Sequence, residues 1–377
     1  MNTSARGQSR TQGRPQPGRE NRPDTGSGFA SRPGPVPSSR LRPLLAAMTA
    51  LGLGALVLSG CGSSGSGAPA GGAQGMESSP SADVALDDPV NTDVQGASKV
   101  ELLSPGSGDL EVRRFVASSR ELPKATIGFD ESSSVEADGK TQEQDGALPA
   151  RTAEVTQSVQ PDVDGAQRAE FTFSSLAPDA KETGLDELLG SAKGFDVTFL
   201  RSADGSISAS TLQAPTEARG VARQSVEQMA GALAESAVIL PSDPIGVGAK
   251  WKVTRPVNDA VAPEMTVTYT LTAIDGDALT ISVDGDAPAT TDTLELPAGD
   301  GQGGAQGTDQ GTNQGDGSVS MHVDDYSSTV KGELTLSLDS SLPTSGKLEN
   351  DTTARYLGDN RAVTTTKATR TLEFGAP

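Results

Sequence analysis

One cysteine, one histidine and one tryptophan are all that this 377-residue chain has of those three residue types, and aromatic side chains make up only 3% of it. Each scarcity excludes something. A lone cysteine forms no internal disulfide, so stability must come from an ordinary core. One histidine and one cysteine cannot supply the usual Cys/His zinc site. Catalysis of the Ser-His-acid kind would have to run through His322, which sits in "SVSMHVDDY" directly after a Gly/Gln-rich stretch. No G-x-S-x-G elbow occurs in the part that reads as folded. "STVK" (Ser328–Lys331) fits S-x-x-K but stands alone in a strand pattern. Asp275/Asp277 and Asp284/Asp286 form Asp-Gly-Asp pairs that read as hairpin turns and lack the spacing of a calcium loop. A paired-carboxylate sugar site needs an aromatic-lined cleft, and the aromatics are too few for one. The expectation is a protein that is not an enzyme and has no cofactor and no metal.

Long apolar runs are equally scarce. The one long apolar stretch is "LLAAMTALGLGALVLSG", Leu44 to Gly60, which carries no charge. Residues 1–43 before it hold eight arginines against Glu20 and Asp24, in a Gly/Pro/Ser/Gln background that cannot bury apolar surface and is expected to be disordered. A basic flank, an apolar stretch and small residues, in that order, read as a secretory signal. The length of the basic region leaves open a translation start at Val36 or Leu41. There is no Arg-Arg pair before the apolar stretch, which argues against twin-arginine export.

The tetrapeptide Leu58-Ser59-Gly60-Cys61 resembles the lipobox of bacterial lipoproteins. The resemblance implies that residues 44–60 are cleaved off as signal peptide and that Cys61 becomes the lipidated first residue of the mature chain. Two or more acyl chains give stable attachment where one is marginal. The partner so implied is the membrane, and the location is the extracytoplasmic face of the cell membrane.

Removing residues 1–60 takes away eight arginines and two acids, leaving 22 basic against 48 acidic residues and a net charge of −26. Such a surface repels nucleic acid and anionic headgroups. Its acids are scattered rather than blocked, as on a solvated secreted surface.

Residues 61–98 read as the lipidated cysteine followed by a flexible Gly/Ser/Ala tether. Residues 99–377 read as a β-rich exported domain, interrupted at 298–317 by the low-complexity "AGDGQGGAQGTDQGTNQGDG". That stretch is expected to be a disordered loop rather than a linker, because the residues after it are too few to stand alone.

Alternation supplies the strands. "FDVTFL" puts Phe195, Val197 and Phe199 on one face, and Asp204-Gly205 turns it into "SISASTLQ". "MTVTYTLTAI" aligns Met265, Val267, Tyr269 and Leu271 and returns through "DGDA" as "LTISVDGD". The two hairpins read as possible copies of one unit. "LEVRRFV", "ATIGFDESSSVE", "ARTAEVTQSVQ" and "AEFTFSSL" predict four earlier strands. "KGELTLSLDSS", "GKLENDTTARYL" and "RAVTTTKATRTLEF" predict a terminal meander with one face in water.

One segment breaks the pattern. From Glu217 to Val238 the residues Ala222, Val226, Met229, Leu233 and Ala237 recur at helical spacing, entered through Pro215-Thr216 and ended by Pro241. A shorter helix is predicted at Gly184–Ala192. The fold class expected is mainly β (α+β), with antiparallel twisted sheets or a half-barrel and one principal amphipathic helix packed on a sheet.

After the helix, "LPSDPIGVGAKWKV" (Leu240–Val253) leads through Gly246 and Gly248 into Trp251. With the helix before it and the Thr-rich hairpin after it, this is similar to a family of secreted bacterial lipoproteins known only as a domain of unknown function, over roughly Thr211 to Phe374. The Ala-, Gly-, Asp- and Thr-rich style resembles actinobacterial envelope proteins. The family brings no activity with it. Trp251 is expected to be a core anchor, with ligand stacking as the other role. Val226, Met229 and Leu233 either pack against a sheet or line a ligand cavity. Two functions follow. One is a non-catalytic binding or structural module for an envelope protein, wall component or lipid. The other is a carrier or sensor of a hydrophobic envelope molecule held between sheet and helix.

Overall fold

The computed structural model describes residues 85–93, 97–118, 122–137, 139–143, 148–162, 165–180, 184–257, 259–296, 319–358 and 362–375. Cys61, the apolar segment and the loop 298–317 lie outside the described residues. The elements are β1 (Val90–Asp93), β2 (Lys99–Ser104), β3 (Ser107–Glu111), β4 (Ala125–Ala137), β5 (Lys140–Glu143), β6 (Arg151–Pro161), β7 (Gln167–Pro178), α1 (Leu185–Gly190), β8 (Asp196–Arg201) and β9 (Ile207–Gln213). Next come α2 (Gly220–Glu235), β10 (Ile245–Val247), β11 (Lys250–Pro256), β12 (Glu264–Asp275), β13 (Ala278–Ala287), β14 (Thr293–Leu296), β15 (Val319–Ser337), β16 (Ser345–Gly358) and β17 (Val363–Gly375).

The fold is mainly β, and every strand pair is antiparallel. One 15-stranded sheet runs in the order β1-β9-β8-β7-β6-β4-β17-β16-β15-β13-β12-β11-β2, with β5 added beside β4 and β14 beside β15, and it does not close into a barrel. β3 and β10 form a separate ribbon. Two meanders make up the large sheet, β6 to β9 and β11 to β17. They meet where β4 pairs with the last strand, from Thr364↔Ala137 to Gly375↔Thr126. β15 is long enough to pair with β13 along one part (Ala278↔Ser337 to Ala287↔Ser328) and with β14 along another (Thr293↔His322 to Leu296↔Val319). The strands on either side of the Gly/Gln-rich stretch are thus direct neighbours in one sheet.

Inward positions alternate as the sequence dictates. Ile127 and Phe129, Ala153 and Val155, Phe171 and Phe173, Val197 and Phe199, Val267, Tyr269 and Leu271, Ile281, Leu334, Leu372 and Phe374 all join one buried core. Gly285 follows Val283 in the inward series on β13, where a Cβ would stand 2.8 Å from Val330 Cγ1 and 3.0 Å from Val267 Cγ2. Only glycine lets these strands approach so closely. A smaller core of Val261, Leu294, Met321, Val323, Ala354 and Tyr356 forms around the β14–β15 pairing.

Several expectations are corrected. Residues 85–93, read as the end of the tether, belong to the sheet: β1 pairs with β9 from Val90↔Leu212 to Asp93↔Ala209, and Asp87 N–H donates to Ala214 O at 2.8 Å. The segment has no apolar alternation of its own to reveal this, and backbone bonds to a neighbour decide it. "LEVRRFV" is a strand only to Glu111. Beyond it Phe115 N–H donates to Ala203 O and Val116 N–H to Leu338 O, both at 2.8 Å, which draws the Phe115 ring into the core. Pro215-Thr216 does not cap the helix. Arg219 holds that position without a side-chain bond, while Thr216 donates from its N–H and its hydroxyl to Ala85 O. The two hairpins differ in their connections, since β8 and β9 are joined at Arg201↔Ile207 by a longer loop than the tight turn at Asp275↔Ala278. Asp284 and Asp286 lie within β13, not in a turn.

Candidate functional site

α2 buries Ala222, Ser225, Val226, Met229, Ala230, Ala232 and Leu233, an arc wider than the expected stripe. Val226 and Met229 are fully buried and Leu233 nearly so. Trp251 is also fully buried. Its indole N–H donates to Ile239 O at 2.7 Å, and its ring stacks on Tyr269. A buried indole whose single donor is satisfied by backbone is a packing element. These four sequence-selected residues therefore share one core, and the structure places Trp251 away from solvent. Leu233 alone also borders a cavity.

That cavity measures about 50 Å³ and is lined among others by Phe115, Phe199, Arg201, Leu233, Leu342 and Ser340. The elements that build it come from distant parts of the chain: β7 to β9, the exit of α2, and the turn between β15 and β16. The turn is fixed in place because Ser340 Oγ and Ser341 Oγ both donate to Gln157 Oε1 on β6, at 3.0 and 2.7 Å.

Arg201 continues the inward series Val197, Phe199 on β8 and is 6% exposed. Its guanidinium donates to Ser340 O at 3.0 Å and to Gln167 Oε1 at 3.1 Å, and lies 4.3 Å over the Phe115 ring. Burial pulls its pKa down to about 10, so it remains charged at neutral pH. A second buried guanidinium, Arg151, sits over the Phe129 ring at 4.5 Å and donates to Gln228 Oε1 of α2 at 2.9 Å. Burial lowers it to about 10 as well, with the Glu131 and Asp130 charges opposing the shift. Neither arginine was singled out from sequence. The signal that could have found them is a cation on the apolar parity of a strand, in "DVTFLR" and "RTAEV".

The catalytic candidates of the sequence are dispersed. His322 is exposed on β15 between Thr293 and Leu357. Ser328 points inward and bonds Thr352 at 2.9 Å, whereas Lys331 is exposed on the opposite face, so strand geometry separates the two ends of "STVK".

No curated protein matches the chain. Residues 222–343, from α2 to the turn that closes the Arg201 cavity, match the model of a family of unknown function (DUF6263).

Proposed function

We propose that the protein is a lipoprotein held through Cys61 on the extracytoplasmic face of the cell membrane. Its β-rich region acts there as a non-catalytic binding or structural module for an envelope protein, a wall component or a lipid. The architecture we infer is a half-barrel wrapped around α2 as its one principal amphipathic helix. Supporting this, the helix and its exit touch β6 through Arg151–Gln228, β17 through the Arg370–Glu235 ion pair at 2.8 Å, and β11 through Arg255 and Ala237 O at 3.1 Å.

The observation that carries the choice of module is the filled helix–sheet contact. Val226, Met229 and Trp251, which would have to line a carrier's cavity, are 0% exposed and packed against side chains. Pockets for ligands of appreciable size run to roughly 300–1,000 Å³. The cavity beside Leu233 is far smaller, at about 50 Å³. This favours the packed module over the lipid carrier.

Mass spectrometry of the protein purified from its own host tests both parts. The denatured mature chain should begin at an acylated Cys61, and an intact Gly60–Cys61 bond would sink the anchor. Under native conditions the same protein should carry no additional lipid, and a stoichiometric non-covalent lipid would sink the packed module.

A further inference from the structure

Arg201 and the half-buried Arg255 of β11 stand apart from two other inward-facing cations of the sheet, Arg370 and Arg151. Arg370 pairs with Glu235 at 2.8 Å and with Glu131 at 3.4 Å. Arg151 lies in the field of Glu131 and Asp130. Among the described residues no carboxylate comes within 4 Å of Arg201, although acids outnumber bases 50 to 30 in the chain. Asp204 and Asp339, on two of the segments around the cavity, accept elsewhere. Asp204 Oδ1 takes the Ser206 N–H and hydroxyl at 2.9 and 2.7 Å, and Asp339 Oδ1 takes Ser337 Oγ at 2.6 Å.

A guanidinium offers five N–H donors. Here two bonds are made, to Ser340 O and Gln167 Oε1, while Nε is buried without a partner, as it is in Arg113, Arg151, Arg255 and Arg370. Both acceptors are neutral. A buried charge without a counter-charge is strongly unfavourable, and the Phe115 ring face at 4.3 Å offsets only part of that cost. The side chain borders the cavity described above, whose other walls include Phe199, Leu233, Leu336 and Leu342.

We propose that the cavity beside Arg201 binds one small organic monocarboxylate, of formate to acetate size, as the counter-charge of the guanidinium. Size sets the upper limit, because about 50 Å³, against the roughly 10–15 Å³ that one water requires, admits only a few non-hydrogen atoms. A planar carboxylate matches the guanidinium fork in shape and charge. The apolar walls suit a methyl group better than the hydration shell of a halide. The site goes beyond the proposed module and does not depend on acylation of Cys61.

Thermal unfolding of the full chain in sodium acetate, sodium chloride and sodium gluconate at matched ionic strength reads this directly. Acetate should raise Tm saturably by several degrees, as expected for a ligand of the native state. Gluconate, too large to enter, and chloride should give only the ionic-strength response. Arg201→Leu should abolish the acetate increment. Ile207→Phe, which fills the cavity while keeping the arginine, should abolish it too. Should neither variant fold, broadening of the carboxylate resonance of ¹³C-acetate by the unaltered chain decides. Equal responses to all three salts, an acetate increment that survives in folded Arg201→Leu, or an acetate line unaffected by protein would each overturn the proposal.

Discussion

The Trp251 ring stacks on Tyr269 across β11 and β12, with centroids 5.5 Å apart and planes 26° from parallel. The pair is directly opposite in register, so the contact follows from the ladder itself. Because the chain has one tryptophan, its fluorescence reports this site alone. Native emission should be blue-shifted and resist iodide quenching. Trp251→Ala should cost about 3–5 kcal/mol in denaturant unfolding, the range for a buried tryptophan. Emission like that of free indole would contradict the burial.

All three tyrosines sit where phenolate is disfavoured. Burial raises Tyr269. Burial, then the 2.7 Å hydrogen bond to Asp259 Oδ2, raises Tyr326. Burial, then the Asp259 charge, pushes Tyr356 up to about 12. With native values above the unfolded value of about 10, these groups add stability that is full below pH 10 and is lost as pH rises through the native values. Absorbance at ~295 nm should therefore show no tyrosine ionisation near pH 10. It should appear at higher pH, with alkaline unfolding. Titration of even one tyrosine at an ordinary pH in the folded state would contradict this.

Arg370 joins three elements, β17, β4 through Glu131 and α2 through Glu235. Removing one member leaves the others half-buried with less compensation. Arg370→Leu should destabilise by about 1–3 kcal/mol, discounted from a fully buried pair because Glu235 is partly exposed, and Glu131→Gln in the same chain should recover part of that loss. A double mutant whose cost equals the sum of the single costs would show that the two groups do not interact.

Gly285→Ala should destabilise by about 1–3 kcal/mol, since the added methyl meets Val330, Val267 and the Thr266 carbonyl within about 3.1 Å. Gly276→Ala is the contrast: no atom stands near its Cβ, and its φ of 59° makes the cost one of backbone strain. If Gly285→Ala were neutral, β13 would not pack as closely as described.

Asp196 is raised by burial, with the Thr172 hydroxyl bond partly opposing the shift. A raised native pKa lowers stability once the carboxylate ionises. Asp196→Asn should therefore gain on the unaltered protein as pH rises through the carboxyl range, and show no gain in acid below it. Tm measured from pH 3 to 7 checks this. A difference independent of pH would show that desolvation of this carboxylate does not matter.

Local order in the sequence determined the long strands of the two meanders, both central hairpins and the region of α2. Alternation such as Met265, Val267, Tyr269, Leu271 is a property of near neighbours and needs no knowledge of the partner strand. The turn glycines Gly205 and Gly276, both at positive φ, are equally local. The tertiary structure alone decided the rest. Residues 85–93 became an edge of the sheet through backbone bonds to β9 that their own side chains do not announce. β4 joined β17 because two open meanders each had an edge to satisfy, and their inward faces matched in register. Arg201 is an ordinary strand-end cation in the sequence. It became a buried charge beside a cavity only when the β15–β16 turn, more than a hundred residues away, brought the Ser340 carbonyl to within 3.0 Å of it.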